Sequence, residues 1–276
     1  MIIKKIYNNN AIMVEDQNNN EVILVGKGLA FNMQKEDQIN PKLAEKKFEL
    51  TKEINHRFEE LVTSIPLDYI LLSERVIAHI KEKSTKKISD SIYVTLTDHI
   101  VMMIERIKKG VDFDSLLLLN VKSLYKEEYN IALTAIELIN HYLSMTISRE
   151  EANFITLHIV NAESDFNMMQ NYTIIEIITL IQEIVDRHFS IEQEDNRAYD
   201  RFLTHCRFFV QQIVNSNYVR SEAHSNRDML NTMKEAYSEQ YQCVKEISLL
   251  LKQKYGYLAN HEEEFYLLIH IIRLST

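Results

Sequence analysis

The chain has 276 residues, with 31 Lys and Arg against 40 Asp and Glu for a formal charge of −9, and only 4 Gly and 2 Pro. Ordinary usage of ~7% Gly and ~5% Pro would supply roughly 19 and 14, so the shortage of turn residues argues against a β-sandwich, a Rossmann fold or a TIM barrel and for a mostly helical protein. At 46% hydrophobic and 26% charged the chain is globular with a sizeable core, excluding disorder, and its length suggests two or three domains.

The opening MIIKKIYNNN lacks the features of a signal peptide, and no run of eighteen apolar residues occurs, so a cytoplasmic protein without membrane insertion is expected. Charge is unevenly spread. In residues 1–55 Lys4, Lys5, Lys27, Lys35, Lys42, Lys46, Lys47 and Lys52 balance Glu15, Asp16, Glu21, Glu36, Asp37, Glu45, Glu49 and Glu53, so the whole −9 falls on the rest of the chain. This argues against an indiscriminate nucleic-acid binder but leaves a neutral N-terminal module open to specific contacts.

In chain order, the apolar runs Ile2 to Ile6, Ala11 to Val14 and Val22 to Val25, separated by Asn8-Asn9-Asn10 and Asp16 to Asn20, predict a small antiparallel meander. So small a module is expected to bury little surface and to dimerise. Asn40 as N-cap and Pro41 at the first helical position predict helix from there onward, and Pro66 opens the next. Beyond Pro66 only Gly110 and Gly256 interrupt, and Gly110 follows Lys108-Lys109 as a helix C-cap would. Cys206 and Cys243 have no CxxC or CxxH neighbours, so they read as buried residues without a disulfide or zinc role.

The helical part repeats. A shift of 112 carries Tyr125, Glu127 and Tyr129 onto Tyr237, Glu239 and Tyr241. It also carries the predicted capping box Ser148-Arg149-Glu150-Glu151 onto Asn260-His261-Glu262-Glu263, and Phe154 through Val160 onto Tyr266 through Ile272. At a shift of 106, Leu96-Thr97-Asp98-His99 becomes Phe202-Leu203-Thr204-His205. The organisation expected is a module at 1–55, a linker at 56–64 and two homologous helical bundles at 65–170 and 171–276.

Each copy holds two histidines at matching places: His99 and His158, then His205 and His270. His158 and His270 fall on apolar helical stripes, with Glu151 and Glu263 two turns earlier on nearly the same line. A hydrogen-bonded core histidine is the ordinary account for one such residue, and recurrence weakens it for four. Metal binding lacks an HExxH or His-Asp dyad, Asp98-His99 being in reverse order, and nucleophilic hydrolysis lacks a GxSxG or reactive-Cys setting. No metal, cofactor or catalytic residue is therefore expected. What remains is a switch, since imidazole is nucleophilic near neutrality and a phosphoryl group adds about two negative charges to an apolar surface.

In the N-terminal strip Gly26-Lys27-Gly28-Leu29-Ala30-Phe31 lacks the spacing of a phosphate loop. Lys5 and Lys27 offer cations, Asn8 and Asn10 amides, and Phe31 a ring on which an unstacked base could lie; turn residues and a core Phe are the plainer alternative.

Asn8-Asn9-Asn10, the Gly26-to-Phe31 strip, Asp90-Ser91-Ile92-Tyr93 with Leu96-Thr97-Asp98-His99, Leu157-His158-Ile159-Val160-Asn161-Ala162-Glu163, and the His205 and His270 contexts together resemble the BglG/LicT transcriptional antiterminators, end to end. The resemblance implies a dimeric, all-β co-antiterminator RNA-binding domain and two all-helical regulation domains controlled by the sugar phosphotransferase system. It implies binding of a leader-mRNA hairpin that prevents terminator formation, through Lys5, Asn8, Asn10, Gly26, Lys27, Gly28 and Phe31. Family members often have Arg where this chain has Lys27, which offers a point charge in place of a planar fork. It further implies phosphorylation of His99 and His158 by a sugar-specific enzyme II, inactivating, and of His205 and His270 by HPr, activating, with a β-glucoside operon as the expected target. The alternative is a DNA-binding activator with the same regulatory modules, which would need a helix-turn-helix before the repeats, where strands are predicted instead.

Overall fold

A computed structural model describes residues 1–111, 121–164, 166–191, 196–215 and 227–276. An N-terminal four-stranded antiparallel sheet is followed by helices. The chain forms two compact units, Met1–Ser115 with Glu127–Asp165, and Leu116–Lys126 with Phe166–Thr276.

In the first unit, strands β1 (Ile2–Asn8), β2 (Ala11–Glu15), β3 (Glu21–Val25) and β4 (Lys46–Phe48) lie in the order β1-β2-β3-β4. The Asp16 carboxylate closes the β2–β3 turn by accepting from the backbone N–H of Asn18 and Asn20, both at 2.8 Å, while Asn19 takes φ 60°. The predicted helix from Pro41 does not form. Asn40 does accept from the Lys42 N–H, but the turn is a single 3-10 turn, Pro41–Leu43, after which the chain becomes β4. Pairing of Phe48 with Ile23 and of Lys46 with Val25 covers the open edge of β3 and buries Phe48, outweighing local helix propensity.

The sheet is also better buried than expected. Strand alternation sends Ile3, Ile12, Val14, Val22 and Leu24 to one face, under Ala30 and Ile39 of the following loop. Ala11, Ile23, Val25 and Phe48 on the other face meet Phe58 and Val62 of α1 (Lys52–Ser64) together with Ile70 and Val94. Residues 56–64, read from the sequence as linker, are thus the body of a helix docked on the sheet. The rings of Phe48 and Phe58 are 4.7 Å apart, with Tyr93 5.6 Å from Phe48.

Pro66 precedes α2 (Leu67–Lys83), followed by α3 (Ile92–Lys108), α4 (Val121–Leu124), α5 (Lys126–Leu143) and α6 (Glu151–Glu163). Leu72, Ile77, Leu96, Ile100, Ile136 and Ile155 centre the first helical core. The second copy comprises α7 (Met168–Phe189), α8 (Arg197–Val214), α9 (Arg227–Ala236), α10 (Ser238–Tyr255) and α11 (His261–Ser275). It buries Ile174, Ile178, Phe202, Phe209, Ile247, Leu267 and Ile271.

The duplication is visible in the helix ends. A shift of 112 lays both ends of α5 on α10 and the end of α6 on that of α11, and a shift of 106 lays the end of α3 on that of α8. Gly110, at φ 68°, stops α3 by donating to Ile107 O. Asn260 and Glu263 make the full capping box of α11. Its counterpart fails: Ser148 Oγ accepts from Glu150 N at 3.3 Å, and the Glu151 carboxylate turns away to Arg106 on α3.

Candidate functional site

The histidines of each copy meet in space. In the first unit α3 carries His99 and α6 carries His158, with ring centroids 4.9 Å apart. In the second, His205 on α8 and His270 on α11 are stacked at 3.7 Å with planes inclined by 20°. All four rings are partly buried. Burial, reinforced by the Arg106 charge, holds His99 down to about 4; burial and neighbouring His99 hold His158 down to about 3. Burial, then His205 and Arg273, hold His270 down to about 4, and burial with Arg273 holds His205 below its usual range. Each ring is therefore neutral at pH 7 and keeps one nitrogen lone pair, the state in which imidazole is a nucleophile.

The expected acidic partners are placed differently. Seven residues along a helix is a rise of roughly 10 Å, too far for a carboxylate to reach the imidazole two turns on. Glu151 instead lies across the helix interface, paired with Arg106 and 3.7 Å from His99 Nε2. Glu263 serves its own N-cap and accepts from the Tyr257 hydroxyl. The copies also differ beside the rings. Phe154 lies 5.6 Å from His99, while its counterpart Tyr266 brings a hydroxyl to 2.8 Å from His205 Nδ1. Among the described residues His158 Nδ1 is buried without a hydrogen-bond partner.

In the N-terminal module the Gly26-to-Phe31 strip folds over the β1–β2 turn. Gly26 N donates to Asn10 O at 2.8 Å, Gly28 N to Asn10 Oδ1 at 2.8 Å, and Ala30 N to Asn9 O at 2.9 Å. A Cβ on Gly26 would sit 3.0 Å from Glu45 N, and Gly28 holds φ +65°, so both positions exclude ordinary side chains without rearrangement. Lys27 and Phe31 stand in solvent, Phe31 being 68% exposed, where a base could stack.

The other strip residues have partners within the chain. Asn8 Nδ2 donates to Val62 O at the end of α1, and Asn8 Oδ1 accepts from Asn10 N, both at 2.8 Å. Lys5 Nζ is 2.7 Å from Glu59 on α1 and 5.3 Å from the Tyr7 ring centroid. Burial opposes the Glu59 charge, yet Lys5 and the nearby Tyr7 hydroxyl hold its carboxyl below the usual range.

The PRD domain family matches residues 74–162 and 175–274, and the CAT RNA binding domain family matches residues 1–57. The chain is 37% identical over 276 residues to Transcription antiterminator LicT of Bacillus subtilis (strain 168), covering 99% of each chain. It is 36% identical over 278 residues to the Beta-glucoside operon antiterminator of Dickeya chrysanthemi, covering 100% of this chain and 97% of that one. The crystal structure of GlcT CAT-PRDI matches 59% of this chain and 98% of its own, with a TM-score of 0.51 and 32% identity. The chain belongs to the BglG/LicT family of transcription antiterminators. Its sheet and strip fall in the CAT RNA binding domain, and each histidine pair falls in one PRD domain. Among the described residues no helix is long and apolar enough to cross a membrane.

Sequence reasoning missed Tyr266, Glu59 and the place of Glu151. The Phe154-to-Tyr266 difference was visible in the repeat, but its meaning needed the position of His205. Glu59 carried no signal until α1 was seen to pack on β1.

Proposed function

We propose that this protein is a cytoplasmic, homodimeric antiterminator, without enzymatic activity, that binds a hairpin in a leader mRNA and prevents terminator formation, in a β-glucoside or related sugar operon. Lys5, Asn8, Asn10, Gly26, Lys27, Gly28 and Phe31 form or shape the RNA surface, Lys27 and Phe31 meeting RNA directly and the glycines letting its backbone approach. The module at 1–55 reads the RNA, and the regulation domains at 65–170 and 171–276 respond to the phosphotransferase system. His99 and His158 accept phosphoryl groups from a sugar-specific enzyme II, which inactivates; His205 and His270 accept them from HPr, which activates.

The observation that carries this reading is the pairing of two neutral imidazoles in each of two duplicated bundles. A phosphoryl group on either ring puts about two negative charges into a half-buried setting and must change local packing. Asp at His205 and His270, a partial mimic of that charge, is expected to favour the RNA-binding dimer, and Asp at His99 and His158 to disfavour it. RNA titrations of both double variants at one fixed salt concentration test this, and equal affinities would refute it.

A further inference from the structure

We propose that Tyr266 is a positioning residue that fixes the tautomer of His205, directing phosphoryl transfer to His205 Nε2 and making His205 the faster acceptor of its pair. This rests on the phosphoacceptor reading above and deepens it.

Two hydrogen bonds define the arrangement. The Tyr266 hydroxyl donates to His205 O at 3.4 Å, and the same oxygen is 2.8 Å from His205 Nδ1. A hydroxyl has one proton, which we assign to the carbonyl, so that at the shorter contact the oxygen accepts from the ring. Nδ1 then carries the hydrogen and Nε2 keeps the lone pair. Burial raises the Tyr266 pKa above its usual value, so the hydroxyl stays protonated and has a proton to give. The Tyr266 ring also stands edge-on to His270, 4.6 Å between centroids, and stacking on His270 at 3.7 Å holds the His205 ring in place.

In the transfer, the His205 Nε2 lone pair forms the new P–N bond as the P–N bond of a phosphohistidyl donor breaks, its electron pair returning to the donor nitrogen. The positive charge gained by the His205 ring sits partly on Nδ1–H, where it strengthens the bond to the tyrosine oxygen. That bond is therefore tighter after attack than before it, which accelerates the step. The first copy has Phe154 at this position and no hydroxyl to offer. Among the described residues His99 Nε2 there is buried without a hydrogen-bond partner, 3.7 Å from the Glu151 carboxylate.

The test uses the full chain and Tyr266→Phe, which keeps the ring and removes only the hydroxyl, as the first copy does naturally. Nitrogen-15 NMR of unphosphorylated protein reads the His205 tautomer. Site-resolved mass spectrometry after treatment with potassium phosphoramidate, a small N-phosphoryl donor, reads the rate at each histidine. The expected result is Nδ1–H at His205 in the parent chain, loss of that preference in the variant, and phosphorylation of His205 slowed about fivefold, the effect of one ordinary hydrogen bond, with His270 unchanged. His205 as the Nε2–H tautomer in the parent, or a variant with unaltered tautomer and rate, would overturn the proposal. A correct tautomer with no phosphorylation at any of the four histidines, by phosphoramidate or by phosphorylated HPr, would overturn the phosphoacceptor reading itself.

Discussion

Lys5 is held by Glu59, so an RNA phosphate must displace a carboxylate before it can use that cation. The pair is 2.7 Å long, with the lysine side chain 55% and the glutamate 16% exposed. Exposed pairs of this kind contribute about 0.2–1 kcal/mol, which sets the gain from removing the competitor. Glu59→Gln keeps the shape and hydrogen-bonding capacity of the side chain but not its charge, and is expected to tighten RNA binding by about 1.4- to 5-fold at low salt. The gain should shrink as salt rises toward ~1 M, where the Debye length falls to about 3 Å, comparable to the separation of this pair. Fluorescence-anisotropy titration of a labelled hairpin across a salt series is the assay. Lys5→Gln should weaken binding and abolish the benefit of Glu59→Gln, closing a double-mutant cycle. If Glu59→Gln binds no more tightly at any salt, or helps equally in the Lys5→Gln background, the competition does not exist and Lys5 is a structural cation of the α1 dock.

The buried histidines predict a pH dependence. An unfolded chain protonates its imidazoles near ~6.5, whereas the folded protein does so at about 4 for His99 and His270 and about 3 for His158. Their contribution to stability is thus complete above pH ~6.5 and is lost as the pH falls toward those lower values. Histidine proton NMR against pH should show all three rings untitrated at pH 5.5, and a midpoint near 6.5 for any of them would contradict the burial argument. Phe58→Ala removes the ring that packs against Phe48 and Tyr93 and should cost ~3–5 kcal/mol of local stability, read as faster amide exchange in β3 and β4; protection equal to the parent's would show that α1 is dispensable to the sheet. Asn260→Ala deletes a complete capping box and should destabilise by ~1 kcal/mol, whereas Ser148→Ala, at a box that does not close, should change thermal stability by much less. Equal losses would refute that distinction.

What could be read from residues alone follows from the range of the forces involved. The unbroken apolar run Val22 to Val25 encodes a strand with two buried faces, and a capping residue such as Asn260 states its local role outright. Strand β4 has only Phe48 as an apolar mark, and its conformation is imposed by the unpaired edge of β3 more than twenty residues earlier. The same limit governs the histidines. Their recurrence at shifts of 112 and 106 marks them as equivalent positions, yet His99 and His158 are separated by most of a bundle, and only the packing of α3 against α6 makes them neighbours. Once they touch, burial of the paired rings, with His99 beside His158 and His205 beside His270, disfavours protonation, so both members of each pair remain neutral and nucleophilic at neutral pH. A Phe-to-Tyr difference between the copies, trivial by volume, then becomes a difference in which nitrogen carries the hydrogen. Duplication thus supplied two bundles with the same fold and the same paired rings, and a single hydroxyl gives one pair a defined tautomer that the other pair must obtain some other way.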